Sequence, residues 1–131
     1  MAFKIHSMHG NDTMGIEYLP CSAITPKVGM TLYFSSGKLA IAAGTTAPAY
    51  ISLCERSSAC TAGELIPVMR VLPTVVYGVT SSAAMGSINP GDKVTIATGG
   101  LQVTATTTSG VAEVVQIDDA AAGGELLVRF P

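Results

Sequence analysis

The chain has 131 residues, of which 48% are hydrophobic and 12% charged, and its formal net charge at pH 7 is −2. This length fits a single domain or two very small ones, and the high apolar share excludes disorder of the kind caused by low hydrophobicity and high charge. The weak negative charge excludes a strongly basic binder of nucleic acid or anionic membranes. Because a domain of this size buries only part of its surface, the high apolar share with few charges favours an oligomer or assembly component whose apolar surface another chain covers.

The N-terminal region, residues 1–13, shows no hydrophobic periodicity and is predicted to be an extended arm. It lacks the continuous apolar run of a signal peptide. The most apolar stretch, residues 65–79, is interrupted by prolines and a glycine, so we expect no membrane-spanning segment.

After the arm, short segments alternate between apolar and polar residues and are separated by turn residues. Prolines and glycines leave few windows for a helix, whereas Val, Thr and Ile are frequent. The predicted strands are residues 15–19, 30–34, 39–43, 50–54, 65–71, 74–79, 93–97, 101–105, 112–117 and 125–130. The sequence therefore predicts an all-β fold of short antiparallel strands.

An internal repeat indicates the domain organisation. Residues 29–43 align without a gap with residues 91–105, and each segment reads as a glycine, a strand, a glycine turn and a strand that opens with leucine. A Gly-Glu pair, at residues 63–64 and again at 124–125, then leads into an apolar strand with a late arginine. Because two-stranded ribbons are marginal alone, the two halves must share a core or find partners.

Two architectures fit this repeat: two similar small β modules, or one β-barrel or sandwich built from both halves. The extent of the repeat favours two modules in close contact. The expected organisation is an extended arm over residues 1–13, a first module over 14–73, a connecting segment over 74–90 and a second module over 91–131.

The two histidines, His6 and His9, lie in the predicted arm, and with Cys54 and Cys60 they provide the ligand types of a zinc site. The spacing of the two cysteines is not that of a zinc knuckle, and the arm is too loose to hold two ligands. Solvated histidines are the better interpretation, so we expect neither a metal nor another cofactor.

Nucleophilic catalysis needs a base held against a serine or cysteine, and both histidines belong to the arm. No Gly-x-Ser-x-Gly motif occurs, and the adjacent Asp118 and Asp119 would point to opposite faces of a strand. The chain is therefore not expected to be an enzyme. The cysteines, Cys21, Cys54 and Cys60, are odd in number without a disulfide spacing, which favours reduced, buried thiols.

Binding by shape remains as a function. In the arm, the apolar Phe3 and Ile5 alternate with Lys4 and His6, so one face of an extended arm would be apolar. Such an arm can add a strand to the exposed sheet edge of a neighbour, and these four residues are the predicted partner-binding site. The alternative is a frayed terminus with two incidental apolar side chains.

The pattern over residues 15–20, 28–32, 37–40 and 63–68 resembles that of tailed-bacteriophage capsid decoration (cement) proteins. It consists of an opening strand, a polar turn, a glycine-led hairpin and a Gly-Glu-led strand rich in valine. The resemblance covers about residues 14–72 and, more loosely, the second half. It is a pattern of hydrophobicity and turns and contains no catalytic signature.

The resemblance implies a structural virion protein, made in the host cytoplasm, that binds the outer surface of an assembled head and stabilises it. It implies that the partner is the major capsid protein and that the protein acts as a homotrimer, either preformed or assembled only on the capsid. The N-terminal arm would be laid on the shell. Removing residues 1–13 would then leave the fold intact and weaken attachment.

The alternative from another class is a β-rich adhesion or glycan-binding module of a fibre or pilus. Such a module would line a groove with exposed aromatics, for which Tyr18, Tyr33, Tyr50 and Tyr77 are available. Packing in a core or an interface is the expected use of at least two of them. A hydrolase that uses a cysteine is a third class, and it requires a reactive thiol.

Overall fold

The computed structural model describes residues 3–8 and 15–131, and these residues form ten β-strands and no helix. The strands are β1 (Lys4–Met8), β2 (Ile16–Pro20), β3 (Thr31–Ser35), β4 (Lys38–Ile41), β5 (Tyr50–Ser52), β6 (Leu65–Arg70), β7 (Val75–Thr80), β8 (Lys93–Val94), β9 (Ala112–Ile117) and β10 (Glu125–Arg129). They make two antiparallel sheets of five strands each, which do not close into a barrel. The all-β prediction is confirmed. Within these ranges no helix is long and apolar enough to cross a membrane.

Four consecutive strands have the same order in both sheets, whereas β1 and β4 have no counterpart strand. One sheet runs β2-β6-β5-β3-β4 and the other β1-β7-β10-β9-β8. Strands β7, β10, β9 and β8 correspond, in this order, to β2, β6, β5 and β3. Every neighbouring pair within each series is antiparallel. We call the part built on β2–β6 the first module and the part built on β7–β10 the second module. The repeat in the sequence is therefore a repeat of topology.

The main-chain hydrogen bonds of the loops repeat as well. In each matched pair of bonds an N–H donates to a C=O. The bond from Ser22 to Leu39 (2.9 Å) matches that from Ser82 to Val103 (2.8 Å), and the bond from Gly63 to Cys21 (2.8 Å) matches that from Gly123 to Ser81 (2.8 Å). The bond from Gly29 to Ser52 (2.8 Å) matches that from Gly91 to Val114 (2.8 Å). Both Gly63 and Gly123 have a positive φ, of 90° and 83°, which glycine adopts at little cost. The sequence alignment paired Gly63 with Gly124 and is one residue out of register here, because the two Gly-Glu pairs are not equivalent.

The counterpart of the β3–β4 hairpin in the second module departs most from the predicted strands. Of the predicted strands 93–97 and 101–105, only Lys93–Val94 forms a strand, and Val103 makes isolated bridges. The Thr104 hydroxyl accepts the N–H of the residue two positions later at 3.0 Å. Such local bonds compete with a regular ladder, so this hairpin is irregular.

The described part of the predicted arm lies inside the second module. Residues 4–8 form β1, which pairs antiparallel with β7 at the edge of the second sheet. Phe3 is 2% exposed and belongs to the core of this module. An unpaired strand edge is exposed to association, and β1 covers that of β7. The remaining arm positions, residues 1–2 and 9–13, lie outside the described residues.

The predicted connecting segment also differs from the structure. Residues 74–90 include β7, all six residues of which are buried. This strand lies between β1 and β10 in the second sheet, as expected for a continuous apolar run that both faces of a sheet cover. The second module therefore begins at Val75, and the link from β6 is the short stretch 71–74.

Each module has its own hydrophobic core, and the modules are in close contact. Ile51 of β5 is buried in the core of the second module, whereas Leu101 packs against the core of the first. The N–H of Thr31 donates to the carbonyl of Gly100 (2.9 Å), and the Thr31 hydroxyl donates to Ala42 O (2.8 Å). The turn around Gly100 thus joins the second module to β3.

Candidate partner-binding surface

The four predicted partner-binding residues do not share one environment. Phe3 is buried, whereas Lys4, Ile5 and His6 are exposed on β1. Because β1 is the edge strand of its sheet, the three exposed residues lie at the border of the second module. The structure therefore divides the predicted site into one core residue and three surface residues.

Phe3 anchors β1 to both modules. Its ring contacts those of Tyr77 and Phe130, with centroid separations of 6.5 and 5.5 Å. Its N–H donates to the carbonyl of Gly29 in the first module (3.0 Å). Burial also raises the pKa of the Tyr77 hydroxyl to about 12. Phe3 thus positions the strand, and its side chain is not accessible to a partner in this structure.

A groove of about 390 Å³ runs beside β1. All four predicted residues line it, Phe3 from its buried position and Lys4, Ile5 and His6 from the surface, together with Val28 and Leu127. Grooves lined by apolar side chains with a few polar groups are the usual form of binding sites. The exposed residues of the predicted site therefore contribute to a concave surface.

A second, smaller groove of about 220 Å³ lies between the modules. Its lining includes Ile5 of β1, Val28 of the turn before β3, and Ile51 and Met69 of the first sheet. Because Ile5 and Val28 also line the first groove, the two grooves form a continuous apolar surface. Met69 extends this surface onto the first sheet.

The first sheet continues the surface to its edge strand, β2. Directly opposite residues on antiparallel strands point to the same face, and Met69 lies opposite Ile16, as Leu65 lies opposite Pro20. Ile16 and Tyr18 share this face because they are two residues apart. Ile16, Tyr18 and Leu65 are 61%, 65% and 58% exposed. Apolar side chains thus reach solvent at the edge of the first module.

We refer to these side chains together as the apolar surface, which comprises Ile5, Ile16, Tyr18, Val28, Leu65 and Met69. Among the described residues, six large hydrophobic side chains are classed as exposed, and five of them belong to the apolar surface. The sixth is Phe34 on β3. Soluble monomers rarely expose large contiguous apolar patches, so this surface is suited to contact with another molecule.

The predicted partner-binding site contributes only Ile5 to the apolar surface, and Tyr18 belongs to the tyrosines named for the alternative glycan groove, whereas the other four residues are not predicted. Ile16, Tyr18 and Leu19 make the first predicted strand apolar on both faces. A strand of this kind, with one face in a core, exposes apolar side chains on the other face unless something covers it. Val28 carries no comparable signal, because it lies in a turn whose position depends on the contact between the modules.

The late arginines of the two repeated strands have similar partners. Arg70 of β6 lies 3.7 Å from the carboxylate of Glu17 on β2, and Arg129 of β10 pairs with Glu113 on β9. These pairs are partly exposed, and exposed ion pairs contribute little to stability. Both arginines therefore lie at the ends of their strands, each paired with a carboxylate, and neither presents an isolated charge.

The thiols lie in the first module. Cys21 and Cys60 are buried in its core, and Cys54 packs against that core. Burial, assisted by the Cys60 thiol, raises the pKa of Cys21 to about 12. In the described part of the chain, no group of three or more His, Cys, Asp or Glu side chains is placed to hold a metal ion. His9, considered above as a zinc ligand, lies outside that part.

No protein-family model and no curated protein matches the sequence. The fold matches a solved structure, the crystal structure of head fiber gp8.5 N base in bacteriophage phi29. The TM-score is 0.56 at 18% sequence identity, and the match covers 89% of this chain and 95% of the other. At this identity the likeness is one of fold, and its extent includes both modules.

Proposed function

We propose that the protein is a structural component of a bacteriophage virion that attaches to the outer surface of the assembled head and stabilises it. The observation that carries the proposal is the fold shared with the phi29 head fiber base over 89% of this chain. The resemblance of the sequence pattern to capsid decoration proteins, which is independent of that match, supports the same role.

The apolar surface supports attachment to a protein partner, which we propose to be the major capsid protein. Fully burying a side chain such as Leu65 or Val28 contributes about 1.5–3 kcal/mol. Both are at present about half exposed, at 58% and 48%. Repeated contacts around a homotrimer would add avidity to individually modest contacts. An apolar contact of this kind is also insensitive to salt, because screening acts on charges.

The first experiment is co-sedimentation of the protein with assembled heads from the same virus that lack it, at low and high salt. We expect saturable binding in a fixed ratio to coat subunits, little changed by salt, and a higher temperature of head rupture. Heads that rupture at the same temperature with and without bound protein would contradict the stabilising role. Failure to bind would overturn attachment itself.

A matched pair of variants tests the surface. Leu65→Ser lies in the apolar surface, whereas Phe34→Ser changes an exposed apolar side chain outside it. We expect Leu65→Ser to weaken head binding about tenfold, which corresponds to about 1.4 kcal/mol, and Phe34→Ser to bind as the unmodified protein does. Equal effects of the two variants would show that attachment uses another surface.

A second candidate function is the base of a fibre that carries adhesion, because the matched structure is the base of a head fiber. Of the four tyrosines predicted for a glycan groove, Tyr50 and Tyr77 are buried and Tyr18 is exposed. Burial of at least two was expected. Glycan binding by the isolated protein, without binding to heads, would favour the adhesion role over decoration.

The proposed role involves no catalytic step, and native thiol labelling tests the alternative of a cysteine hydrolase. Cys21 and Cys60 are 0% and 3% exposed, so we expect both to resist alkylation at pH 8 until the protein unfolds. Cys54, which is half-buried, should react first. Rapid labelling of Cys21 in the native protein would support the hypothesis of a cysteine hydrolase, since only an accessible thiolate acts as a nucleophile.

A further inference from the structure

The free edge of β2 differs from its counterpart in the second module. There, β1 pairs along β7, with Lys4 opposite Gly78. In the first module, residues 16–18 of β2 pair with β6 on one side, and no other segment of the described residues pairs with them on the other. The far end of β2 is covered, where Ser22 N–H donates to Leu39 O (2.9 Å). With respect to the described residues, one short stretch of strand edge is thus open.

The backbone of this stretch is oriented for pairing. The carbonyl of Pro67 accepts the N–H of Leu53 (3.0 Å), so the main chain of Pro67 faces β5. Tyr18 lies opposite Pro67 on β2. In an antiparallel pair, both members of a non-hydrogen-bonded position point away from each other. The N–H and C=O of Tyr18, and by alternation those of Ile16, therefore point to the open edge.

The side chains beside this edge indicate the chemistry of its partner. Ile16 and Tyr18 belong to the apolar surface and are mostly exposed. Between them, Glu17 is paired with Arg70 at 3.7 Å on the other face, so the edge presents no unpaired charge. We propose that the open edge of β2 binds an extended segment of the coat protein, paired antiparallel, with apolar side chains at alternate positions.

The second module shows the kind of segment that such an edge accepts. Its β7 occupies the place of β2 in the shared strand order, and Lys4–Met8 covers it as an antiparallel strand with Ile5 among polar neighbours. This segment is engaged on β7 and is not available to β2. Because Ile16 and Tyr18 continue the apolar surface, a coat segment on β2 would lie beside the contact proposed above, and the inference rests on that proposal.

The test removes the outward N–H and keeps the rest of the edge. Tyr18→Pro removes both the ring and the N–H, whereas Tyr18→Ala removes the ring alone. Proline is tolerated at edge positions whose N–H faces outward, and Pro20 already occupies the next such position on β2. We expect Tyr18→Pro to bind heads about tenfold more weakly than Tyr18→Ala, because one hydrogen bond is lost and its carbonyl acceptor on the coat segment is left unpaired.

Circular dichroism tests whether both variants fold. If Tyr18→Pro does not fold, Ile16→Pro and Ile16→Ala repeat the comparison at the start of the strand. In the unmodified protein, amide exchange over residues 15–20 should slow on head binding. Equal binding by the proline and alanine variants, with binding intact in the unmodified protein, would overturn the strand pairing and leave the proposed function standing. Absence of binding by the unmodified protein would overturn both. A dimer in sedimentation equilibrium that Tyr18→Pro abolishes would assign the edge to a second copy instead.

Discussion

The two modules share a strand order and a set of loop hydrogen bonds, yet the outer edges of their equivalent strands β7 and β2 differ in what covers them. In the second module, β1 covers β7 and Phe3 enters the core. In the first module, residues 16–18 of β2 have no such cover among the described residues, and apolar side chains beside them are exposed. The second module is thus completed by the chain itself, whereas in the first module the described residues leave the equivalent edge unpaired, and we propose that a partner binds there.

The largest expected effect is on the segment that completes the second module. Phe3→Ala removes a buried ring that contacts Tyr77 and Phe130. Loss of a buried phenylalanine costs about 3–5 kcal/mol of unfolding free energy. Equilibrium urea unfolding measures this directly. Removal of residues 1–8 should destabilise the protein similarly, contrary to the sequence-based expectation that the arm is dispensable for the fold.

Phe34→Ala is the matched control in the first module. Phe34 is 43% exposed, although its ring packs edge-on against Tyr50 at a centroid separation of 5.6 Å. Its loss should cost about 1 kcal/mol, because much of the ring is already in water. Equal losses for Phe3→Ala and Phe34→Ala would mean that β1 does not complete the second core, and the contrast between the two edges would fail.

An intermediate effect is expected where the modules meet. Gly100 has φ +71°, and a Cβ there would lie 2.8 Å from the Thr31 hydroxyl oxygen and 3.0 Å from a side-chain carbon of Ile41. Left-handed backbone strain costs about 1–2 kcal/mol, and overpacking adds about 1–3 kcal/mol. Gly100→Ala should therefore lower the unfolding free energy by about 2–5 kcal/mol.

Gly99→Ala separates the two contributions to this effect. Gly99 also has a positive φ, of +97°, but no heavy atom lies within 4 Å of a Cβ built there. Gly99→Ala should thus show the backbone strain alone, about 1–2 kcal/mol. If the two variants unfold at the same urea concentration, the turn does not pack against β3, and the modules are coupled elsewhere.

The fold was predictable because hydrophobic alternation and turn residues recur with the repeat. The strands of the first module and β7, β9 and β10 lie where this alternation places them, within a few residues. The predicted strand 101–105 failed because side-chain bonds at Thr104 and the contact of Gly100 with Thr31 determine this hairpin. One is a bond between a side chain and the nearby backbone, and the other joins residues far apart in the sequence. Neither produces a periodic pattern in the sequence.

The candidate binding surface was predictable only in part, and for a related reason. Alternation in residues 3–6 marked a strand with one apolar face, yet it did not reveal which strand edge this segment would cover. The burial of Phe3 depends on Tyr77 and Phe130, far away in the sequence. Val28 and Leu65 join one surface only through packing of the modules and strand register, which local sequence patterns do not specify.

The smallest expected effect concerns a carboxylate that one module has and the other lacks. Cys21 N–H donates to Glu64 O in the first module, as Ser81 N–H donates to Gly124 O in the second, so a glycine occupies the place of Glu64. The Arg56 guanidinium, followed by the Thr61 N–H, holds the pKa of Glu64 below its ordinary value of 4.5. A carboxyl whose pKa is lower in the folded than in the unfolded protein stabilises the fold at a pH above the unfolded-state pKa. This stabilisation is lost as the pH falls through the folded-state pKa.

Glu64→Gln should accordingly lower the unfolding free energy at pH 7, and the difference from the unmodified protein should shrink steadily below pH 4.5. The effect is modest because the ion pair with Arg56 is about one-third exposed. Glu125→Gln, which removes an equal charge from an exposed position of the second module, is the control in urea unfolding at each pH. A difference for Glu64→Gln that persists unchanged at pH 3 would assign its role to packing. The next carboxylate to test in the first module would then be Glu55, which accepts the Val28 N–H at 2.9 Å and whose pKa is also lowered.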